Sequence, residues 1–125
     1  MATRYETGNL GEQQTAEFLT RNGYEIVCRN YRVKGGEIDI IARKDDVLCF
    51  VEVKTRAKNA LVSAEKAVNK NKRRLLVRAA QRFLSEYGED VSGRFDVSAI
   101  EVEGNRIVSL KYYVSAFDAS DYICQ

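Results

Sequence analysis

The chain has 125 residues, of which 45% are hydrophobic and 30% are charged, and its formal net charge is only +2. This composition is typical of a soluble globular domain, and no apolar stretch approaches the ~20 residues that a membrane-spanning helix needs. The sequence contains no histidine, which excludes histidine-based catalysis and most transition-metal sites, so any bound metal must be held by oxygen. We expect one domain over residues 1–125, with a mobile lead-in over residues 1–8 and no membrane association.

The cysteines are Cys28, Cys49 and Cys124, and they lie far apart in the sequence. Their odd number and the lack of zinc-ligand spacing indicate reduced thiols, and they exclude a regular disulfide framework. The first residues also lack the apolar core of a signal peptide. These features predict a cytoplasmic protein.

Residues 9–21 form the first predicted helix, and Gly23 follows it as a C-cap. Asn9 and Glu12 have the spacing of a capping box, which gives Glu12 a purely structural interpretation. Residues 24–33 are rich in β-forming residues and predict the first strand, which leads into a turn at residues 34–36.

The next stretch predicts a β-hairpin, with strands over residues 37–43 and 47–54 and a turn near residues 45–46. A turn of two or four residues keeps apolar and polar positions on separate faces, whereas a three-residue turn would mix them, so the pattern favours the even register. That register sets Ile41 opposite Phe50. It makes one face wholly apolar, with Ile38, Ile40, Ala42, Cys49, Val51 and Val53.

The other face of the hairpin places Asp39 opposite Glu52 and Glu37 opposite Lys54. Directly paired residues have Cβ atoms roughly 4.5–5.5 Å apart, and like charges at that spacing destabilise a sheet. A hard divalent cation held by carboxylate oxygens and water would relieve the repulsion. The alternative is a solvated polar face with ion pairs from Lys54 to Glu37 and Glu52.

Residues 55–60 form a polar, basic connection, which is either a plain linker or a mobile flap over the acids. A second helix is predicted from an N-cap at Ser63 to about residue 87, with Gly88 as its terminator. Its apolar residues recur at helical spacing. They are Val68, Leu75, Leu76, Ala79, Phe83 and Tyr87.

This helix is strongly basic, because residues 66–82 contain no acid. A row of cations recurs every four residues and predicts a phosphate-binding surface, although a solvated face is the alternative. Lys72 is counted with these candidate nucleic-acid-binding residues, but it falls within the apolar stripe, so its amine either extends to solvent or enters a polar pocket at the sheet. The row consists of Lys66, Lys70, Arg74, Arg78 and Arg82.

The C-terminal part predicts strands over residues 94–102 and 107–114, a turn at residues 104–105 and one helical turn within residues 117–122. The resulting order is one helix, three strands, a helix and two strands. Such an order predicts an α/β fold in which a mixed β-sheet is flanked by helices.

The order of these features resembles that of a known nuclease superfamily. An aspartate on one strand and Glu-x-Lys on the next, after a helix with an acid, resembles the PD-(D/E)xK superfamily and its restriction-endonuclease-like αβββα-β core. Over about residues 8–117 the chain is also similar to the bacterial YraN-like uncharacterised protein family, which in turn resembles archaeal Holliday-junction resolvases. The motifs are GNLGE at residues 8–12, GY at 23–24, RNYR at 29–32, GEIDIIA at 36–42, FVEVKTR at 50–56 and RFDV at 94–97.

The resemblance implies a catalytic set at the hairpin. Asp39 and Glu52 would bind Mg²⁺ or Mn²⁺ together with the backbone carbonyl of Val53. Lys54 would orient the attacking water and stabilise charge on the phosphate. Glu37 occupies a position where the superfamily name has proline, and its role stays open between ligand, partner of Lys54 and structural residue.

The resemblance also implies an acid on the first helix. Glu12 matches the helix acid of the resolvases by its distance from Gly23 and Tyr24, and Glu17 ranks second. The expected function is magnesium-dependent hydrolysis of branched or otherwise structured DNA, carried out by a homodimer as in the resolvases. The alternatives are a nucleic-acid-binding module of the same fold with little or no cleavage, and an adaptor whose basic helix binds an acidic protein.

Overall fold

The computed structural model describes residues 4–60 and 69–119, with the side chains of the first helix described from Asn9 onward. The elements occur in the predicted order, which confirms the α/β fold class. They are α1 (Arg4–Arg21), β1 (Glu25–Val33), β2 (Gly36–Lys44), β3 (Val47–Ala57), α2 (Lys70–Tyr87), β4 (Ser92–Glu103) and β5 (Arg106–Tyr113).

The strands form one five-stranded sheet in the order β1-β2-β3-β4-β5. Neighbouring strands are antiparallel except β3 and β4, which pair in parallel from Val47 to Ala57. Parallel neighbours cannot be joined by a tight turn, so the chain crosses over through α2 between them. The mixed sheet and its two helices are consistent with a restriction-endonuclease-like core.

The hydrophobic core lies on both faces of the sheet, because a helix covers each face. The side chains of β2 and β3 therefore meet a helix in both directions, which explains the nearly continuous apolar character of these strands. On one face α2 packs against Ile41, Leu48, Phe50, Phe95 and Val97. On the other face Ala16 and Leu19 of α1 pack against Ile40, Ala42, Cys49 and Val51.

The predicted register of the hairpin is confirmed. Ile41 pairs with Phe50, and the ladder runs from Lys44 opposite Val47 to Ile40 opposite Val51. The connecting turn has two residues, and its Asp45 adopts a positive φ of 55°. Aspartate tolerates this left-handed conformation better than most residues, which suits it to such a turn.

The predicted apolar face is wrong at Ile38. Ile38 packs with the cluster under α2, whereas Ile40 packs with the cluster under α1. The alternation fails here because the β2–β3 ladder ends at Ile40, while β2 continues to pair with β1 as far as Gly36. β2 is thus held on both edges from Ile40 to Arg43 and only by β1 before Ile40, where its side chains no longer follow the two-residue period.

The N-terminal part of the structure corrects two predictions. α1 begins at Arg4, so residues 4–8 are helical and do not form the predicted lead-in. Asn9 consequently lies inside the helix and cannot cap it, which removes the capping-box role of Glu12.

The start of α2 also differs from the prediction. Asn69 is its N-cap, with an extended ψ of 175°, and the Asn69 side chain accepts a hydrogen bond from the Lys72 amide at 2.9 Å. A helix that ran continuously from Ser63 is therefore wrong, although Ser63 itself lies outside the described residues. Serine and asparagine are both good N-caps, and the sequence alone does not decide between them.

The predicted connection over residues 55–60 is wrong in its first half. β3 continues to Ala57, and Thr55, Arg56 and Ala57 pair with Ile100, Glu101 and Val102 of β4. Only residues 58–60 leave the strand before the segment that the structure does not describe. The parallel partner strand extends β3 here despite its polar sequence, because a neighbouring ladder outweighs local propensity.

Two further expectations concern cysteines and membranes. Cys28 and the buried Cys49 are free thiols, and Cys124 lies outside the described residues. Of the predicted helical turn at residues 117–122, residues 120–122 also lie outside them. Across residues 4–60 and 69–119, neither helix combines the length and the apolar character needed to cross a bilayer.

Candidate functional site

The candidate site lies where the β2–β3 ladder ends, and it contains the two acids of the hairpin. Asp39 Oδ2 accepts a hydrogen bond from the Val53 amide at 2.8 Å. Glu52 faces α2, and its side chain is only 4% exposed. The strands part at this point, so the carboxyl groups of Asp39 and Glu52 lie beside each other.

Burial and mutual repulsion make both carboxyl groups hard to ionise. Burial, followed by the charge of Asp39, raises the pKa of Glu52 to about 8. Burial also raises the pKa of Asp39, although its hydrogen bond from Val53 acts in the opposite direction. Such perturbed carboxyl pairs are concentrated at functional sites, because their charge becomes useful only when a cation or a substrate compensates it.

Two buried oxygens at the site have no hydrogen-bond partner in the protein, namely Glu52 Oε2 and Glu12 Oε1. Buried polar atoms are nearly always paired, so an orphaned carboxylate oxygen indicates a site for a ligand, a water or an ion. Carboxylate and carbonyl oxygens are the donors that Mg²⁺ and Mn²⁺ prefer. Asp39, Glu52 and the Val53 carbonyl therefore fit the expected metal by their chemistry.

The site does not contain a ready-made cluster of three side-chain ligands. Within the part of the chain that the structure describes, no three Asp, Glu, Cys or His side chains converge closely enough to hold a metal ion. A metal at this position would depend on two carboxylates, a backbone carbonyl and water. Mg²⁺ is usually bound in this way in proteins.

Glu12 reaches the same site from α1. Burial and the charge of Asp39 raise its pKa, while Arg29 and Asn30 on β1 act in the opposite sense. Helix α1 approaches the sheet closely because the residue before Glu12 is glycine. A Cβ atom on Gly11 would lie only 2.8 Å from Thr55 Oγ1 on β3. The local sequence thus brings the backbone of α1 against the sheet and places Glu12 at the site.

Glu17 is not brought to the site. Its side chain is exposed and accepts a hydrogen bond from Gln13 Nε2 at 3.2 Å on the same helix. Of the two predicted helix acids, only Glu12 interacts with Asp39.

Lys54 lies on β3, two residues after Glu52, and is half-buried. Burial and the nearby charge of Arg56 lower the pKa of Lys54, whereas Glu52 raises it. An amine with a lowered pKa gives up a proton more readily near neutral pH.

Glu37 does not pair with Lys54. It lies opposite Arg32 on β1, and its Oε2 is 3.6 Å from Arg32 Nε. The predicted pairing with Lys54 is wrong because the β2–β3 ladder ends before it reaches Glu37. The charge of Glu37 still contributes to the raised pKa of Asp39.

Lys72 points toward the sheet, which decides between the two predicted orientations. Its Nζ lies 3.5 Å from Glu52 Oε1, and its side chain is 34% exposed. Lys72 therefore belongs to the site, although the sequence grouped it with the basic surface of the helix.

Four members of the predicted basic row of α2 lie within the described residues. Lys70, Arg74 and Arg78 are exposed. Arg82 is also exposed but forms an ion pair with Glu86 on the next turn, which reduces its net positive field. Lys66 lies outside the described residues.

Arg29 and Asn30 are functional candidates that the sequence did not assign. Arg29 Nη2 lies 3.6 Å from Glu12 Oε1, and Nη1 donates to Gln13 Oε1 at 3.1 Å. Asn30 adopts a positive φ of 54° inside β1, which is uncommon for a residue other than glycine. Both belong to the RNYR motif, but only the tertiary fold shows that Arg29 lies beside α1.

The RFDV motif has a structural role. Asp96 is fully buried and accepts hydrogen bonds from Arg94, the Tyr112 hydroxyl at 2.6 Å and the Ser115 amide at 2.9 Å. Arg94 also donates to the Tyr24 hydroxyl at 2.8 Å. This carboxylate is satisfied within the protein, in contrast to that of Glu52.

Comparison with known sequences places this arrangement in a family. The model of the uncharacterised protein family UPF0102 matches residues 11–100. The chain belongs to this family. The match includes Glu12, both hairpin acids, Lys54 and Lys72. It confirms the predicted YraN-like membership.

Individual UPF0102 proteins resemble the chain over most of its length. The protein from Desulfosudis oleivorans is 41% identical over 118 residues, which cover 94% of each chain. The protein from Chlorobium phaeobacteroides is 41% identical over 118 residues, covering 90% of this chain and 93% of the relative. The protein from Prosthecochloris aestuarii is 44% identical over 110 residues, or 87% of each chain.

Proposed function

We propose that this UPF0102 protein is a divalent-metal-dependent endonuclease that hydrolyses phosphodiester bonds in branched or otherwise structured DNA. The observation that carries the proposal is the pair of buried carboxyl groups at the end of the β2–β3 ladder. Asp39 and Glu52 lie beside each other, an oxygen of Glu52 is orphaned, and Lys54 follows two residues later. Helix α1 adds the carboxyl group of Glu12.

The metal would be held by Asp39, Glu52 and the Val53 carbonyl. A bound Mg²⁺ or Mn²⁺ ion supplies positive charge beside the scissile phosphate and favours loss of a proton from the attacking water. The Val53 amide keeps Asp39 Oδ2 engaged at 2.8 Å, so one carboxylate of the site is oriented by the backbone before any ligand arrives.

Two further residues act on the water and the phosphate. Lys54 donates hydrogen bonds to the water or to a phosphate oxygen, and its lowered pKa suits it to exchange a proton near neutral pH. Glu12 orients a second water through its unpartnered oxygen. Arg29 holds the Glu12 carboxylate in place from β1.

The exposed face of α2 provides the DNA-binding surface in this proposal. Lys70, Arg74 and Arg78 stand one helical turn apart, and such a row contacts successive phosphates. The choice of branched DNA and a homodimer rests on the similarity to junction resolvases.

The test is a cleavage assay with branched, flapped, single-stranded and duplex DNA in the presence of Mg²⁺ or Mn²⁺. Asp39→Asn and Glu52→Gln should each abolish cleavage, with a loss of about 100-fold or more. DNA binding should persist or tighten, because both changes remove negative charge. The absence of any cut that these substitutions eliminate would refute the endonuclease.

The second candidate is a nucleic-acid-binding module that does not cleave DNA. The Glu52–Lys72 ion pair favours this candidate, because it balances the charge of Glu52 without a metal. The lack of a three-ligand cluster among the described residues favours it as well. Salt-dependent DNA binding without cleavage would identify this module. An adaptor for an acidic protein would show no preference for nucleic acid over such a partner at equal ionic strength.

A further inference from the structure

The ion pair between Lys72 and Glu52 joins α2 to the carboxyl pair. Lys72 Nζ lies 3.5 Å from Glu52 Oε1, while Oε2 of the same carboxylate is buried and unpartnered. Of the two oxygens of Glu52, Oε1 therefore faces a protein cation, whereas Oε2 has no hydrogen-bond partner in the protein. The ammonium group is itself partly exposed, at 34%, so it has an alternative position in water.

The backbone holds Lys72 in this place. The side chain of the N-cap Asn69 accepts a hydrogen bond from the Lys72 amide, which fixes the first turn of α2. About one turn further along the same side of the helix, a Cβ on Gly36 would lie 2.7 Å from the Leu75 carbonyl oxygen. This close contact between α2 and β2 keeps the helix, and with it Lys72, near the sheet.

Lys72 differs from its neighbours on the helix. Arg74 and Arg78 are exposed, whereas the Lys72 charge interacts with both Glu52 and Asp39. A cation that shares Glu52 with a divalent ion is repelled by that ion across a site of low dielectric constant. Both cations favour the same carboxylate, so each weakens the binding of the other.

We propose that Lys72 is an internal counter-ion that competes with a divalent cation for Glu52. The inference rests on the proposed function, since it concerns the same carboxyl pair. Without metal, and at a pH where Glu52 is ionised, the ammonium balances the carboxylate and makes its burial tolerable. When a divalent cation binds, the ammonium moves from Glu52 toward the open side of the site.

The experiment measures Ca²⁺ affinity by titration calorimetry at pH 9, where proton release from the carboxyl groups contributes little. Wild-type protein and Asp39→Asn establish that the binding occurs at the carboxyl pair. Lys72→Met should bind Ca²⁺ about three- to tenfold more tightly than wild type, because the competing charge is gone. Lys72→Gln provides a second neutral variant, and thermal unfolding verifies that each variant is folded.

Two matched controls separate competition from a general loss of charge. Lys72→Arg keeps the cation and should bind Ca²⁺ within about twofold of wild type, as should Arg106→Met, which removes an exposed charge from β5. A purely structural role of Lys72 would leave the Ca²⁺ affinity unchanged or weaken it.

The outcomes distinguish this inference from the proposed function. If wild type binds Ca²⁺ and Asp39→Asn does not, while folded Lys72→Met and Lys72→Gln bind no more tightly than wild type, the competition is refuted and the metal site stands. If wild type shows no binding that depends on Asp39, both the metal site and the competition are refuted.

Discussion

Glu52 combines near-complete burial with a neighbouring carboxyl group, and both effects raise its pKa to about 8 from an ordinary value of 4.5. Between these values the native protein holds a proton that the unfolded chain releases. Stability must therefore fall as the pH rises through this window, since the native state binds more protons than the unfolded state.

This pH dependence can be measured on metal-free protein. In EDTA, the free energy of unfolding should decrease from pH 5 to pH 8 by up to about 1.4 kcal/mol per pH unit. The Glu52→Gln variant has no ionisable group at this position, so its free energy of unfolding should depend much less on pH. Urea denaturation at several pH values provides the measurement, and an equally steep profile in Glu52→Gln would assign the effect to other groups.

At the scale of elements, α2 has two separate functions. Its inner side carries Lys72 into the site, and its outer side exposes Lys70, Arg74 and Arg78. The exposure of the outer cations follows from their four-residue spacing in the sequence. The inner position of Lys72 depends instead on where the helix begins and on how closely the helix approaches the sheet.

Charge reversal tests the outer side of α2. The double substitution Arg74→Glu and Arg78→Glu should weaken DNA binding about tenfold or more at low salt and should reduce the salt dependence of the binding constant. Arg106→Glu with Lys111→Glu changes the net charge equally, at exposed positions of β5, and should have a smaller effect. Fluorescence anisotropy provides the affinities. Equal losses in both double variants would show that DNA binding depends on total charge and not on α2.

The contact between α2 and β2 makes a separate prediction. Gly36→Ala places a methyl group 2.7 Å from the Leu75 carbonyl oxygen, so the helix must shift, and we expect a loss of about 1–3 kcal/mol in the free energy of unfolding. Gln81→Ala changes an exposed position of the same helix and should stay within about 0.5 kcal/mol of wild type. Chemical denaturation compares the two. A Gly36→Ala variant as stable as Gln81→Ala would show that the helix adjusts freely.

At the scale of the whole molecule, the sequence predicts the element order and the hairpin register well. The register followed because an even turn alone separates apolar from polar positions, and Ile41 opposite Phe50 confirms it. Ile38 was misplaced because the β2–β3 ladder ends at Ile40, while β2 stays paired with β1 alone. The point at which this ladder ends is a tertiary feature without a local signal.

The candidate site was predictable to a smaller extent. Asp39 and Glu52 were brought together by the register argument alone, whereas the position of Glu12 followed from the family resemblance. Arg29 was not predicted, and the sequence left the orientation of Lys72 open, because their distances to Glu12 and Glu52 depend on how each helix packs. The helix start at Asn69 was missed because Ser63 and Asn69 are equivalent as caps.

The parallel pairing of β3 with β4 has a consequence for the order of folding events. The β2–β3 hairpin is local in sequence and closes quickly, so Asp39 and Glu52 meet early. The β3–β4 ladder requires the whole of α2 to be bridged first, and contacts between distant residues form slowly. We therefore expect the two acids to meet before Lys72 reaches Glu52, so that only protons or dissolved cations neutralise the carboxyl pair until α2 has packed.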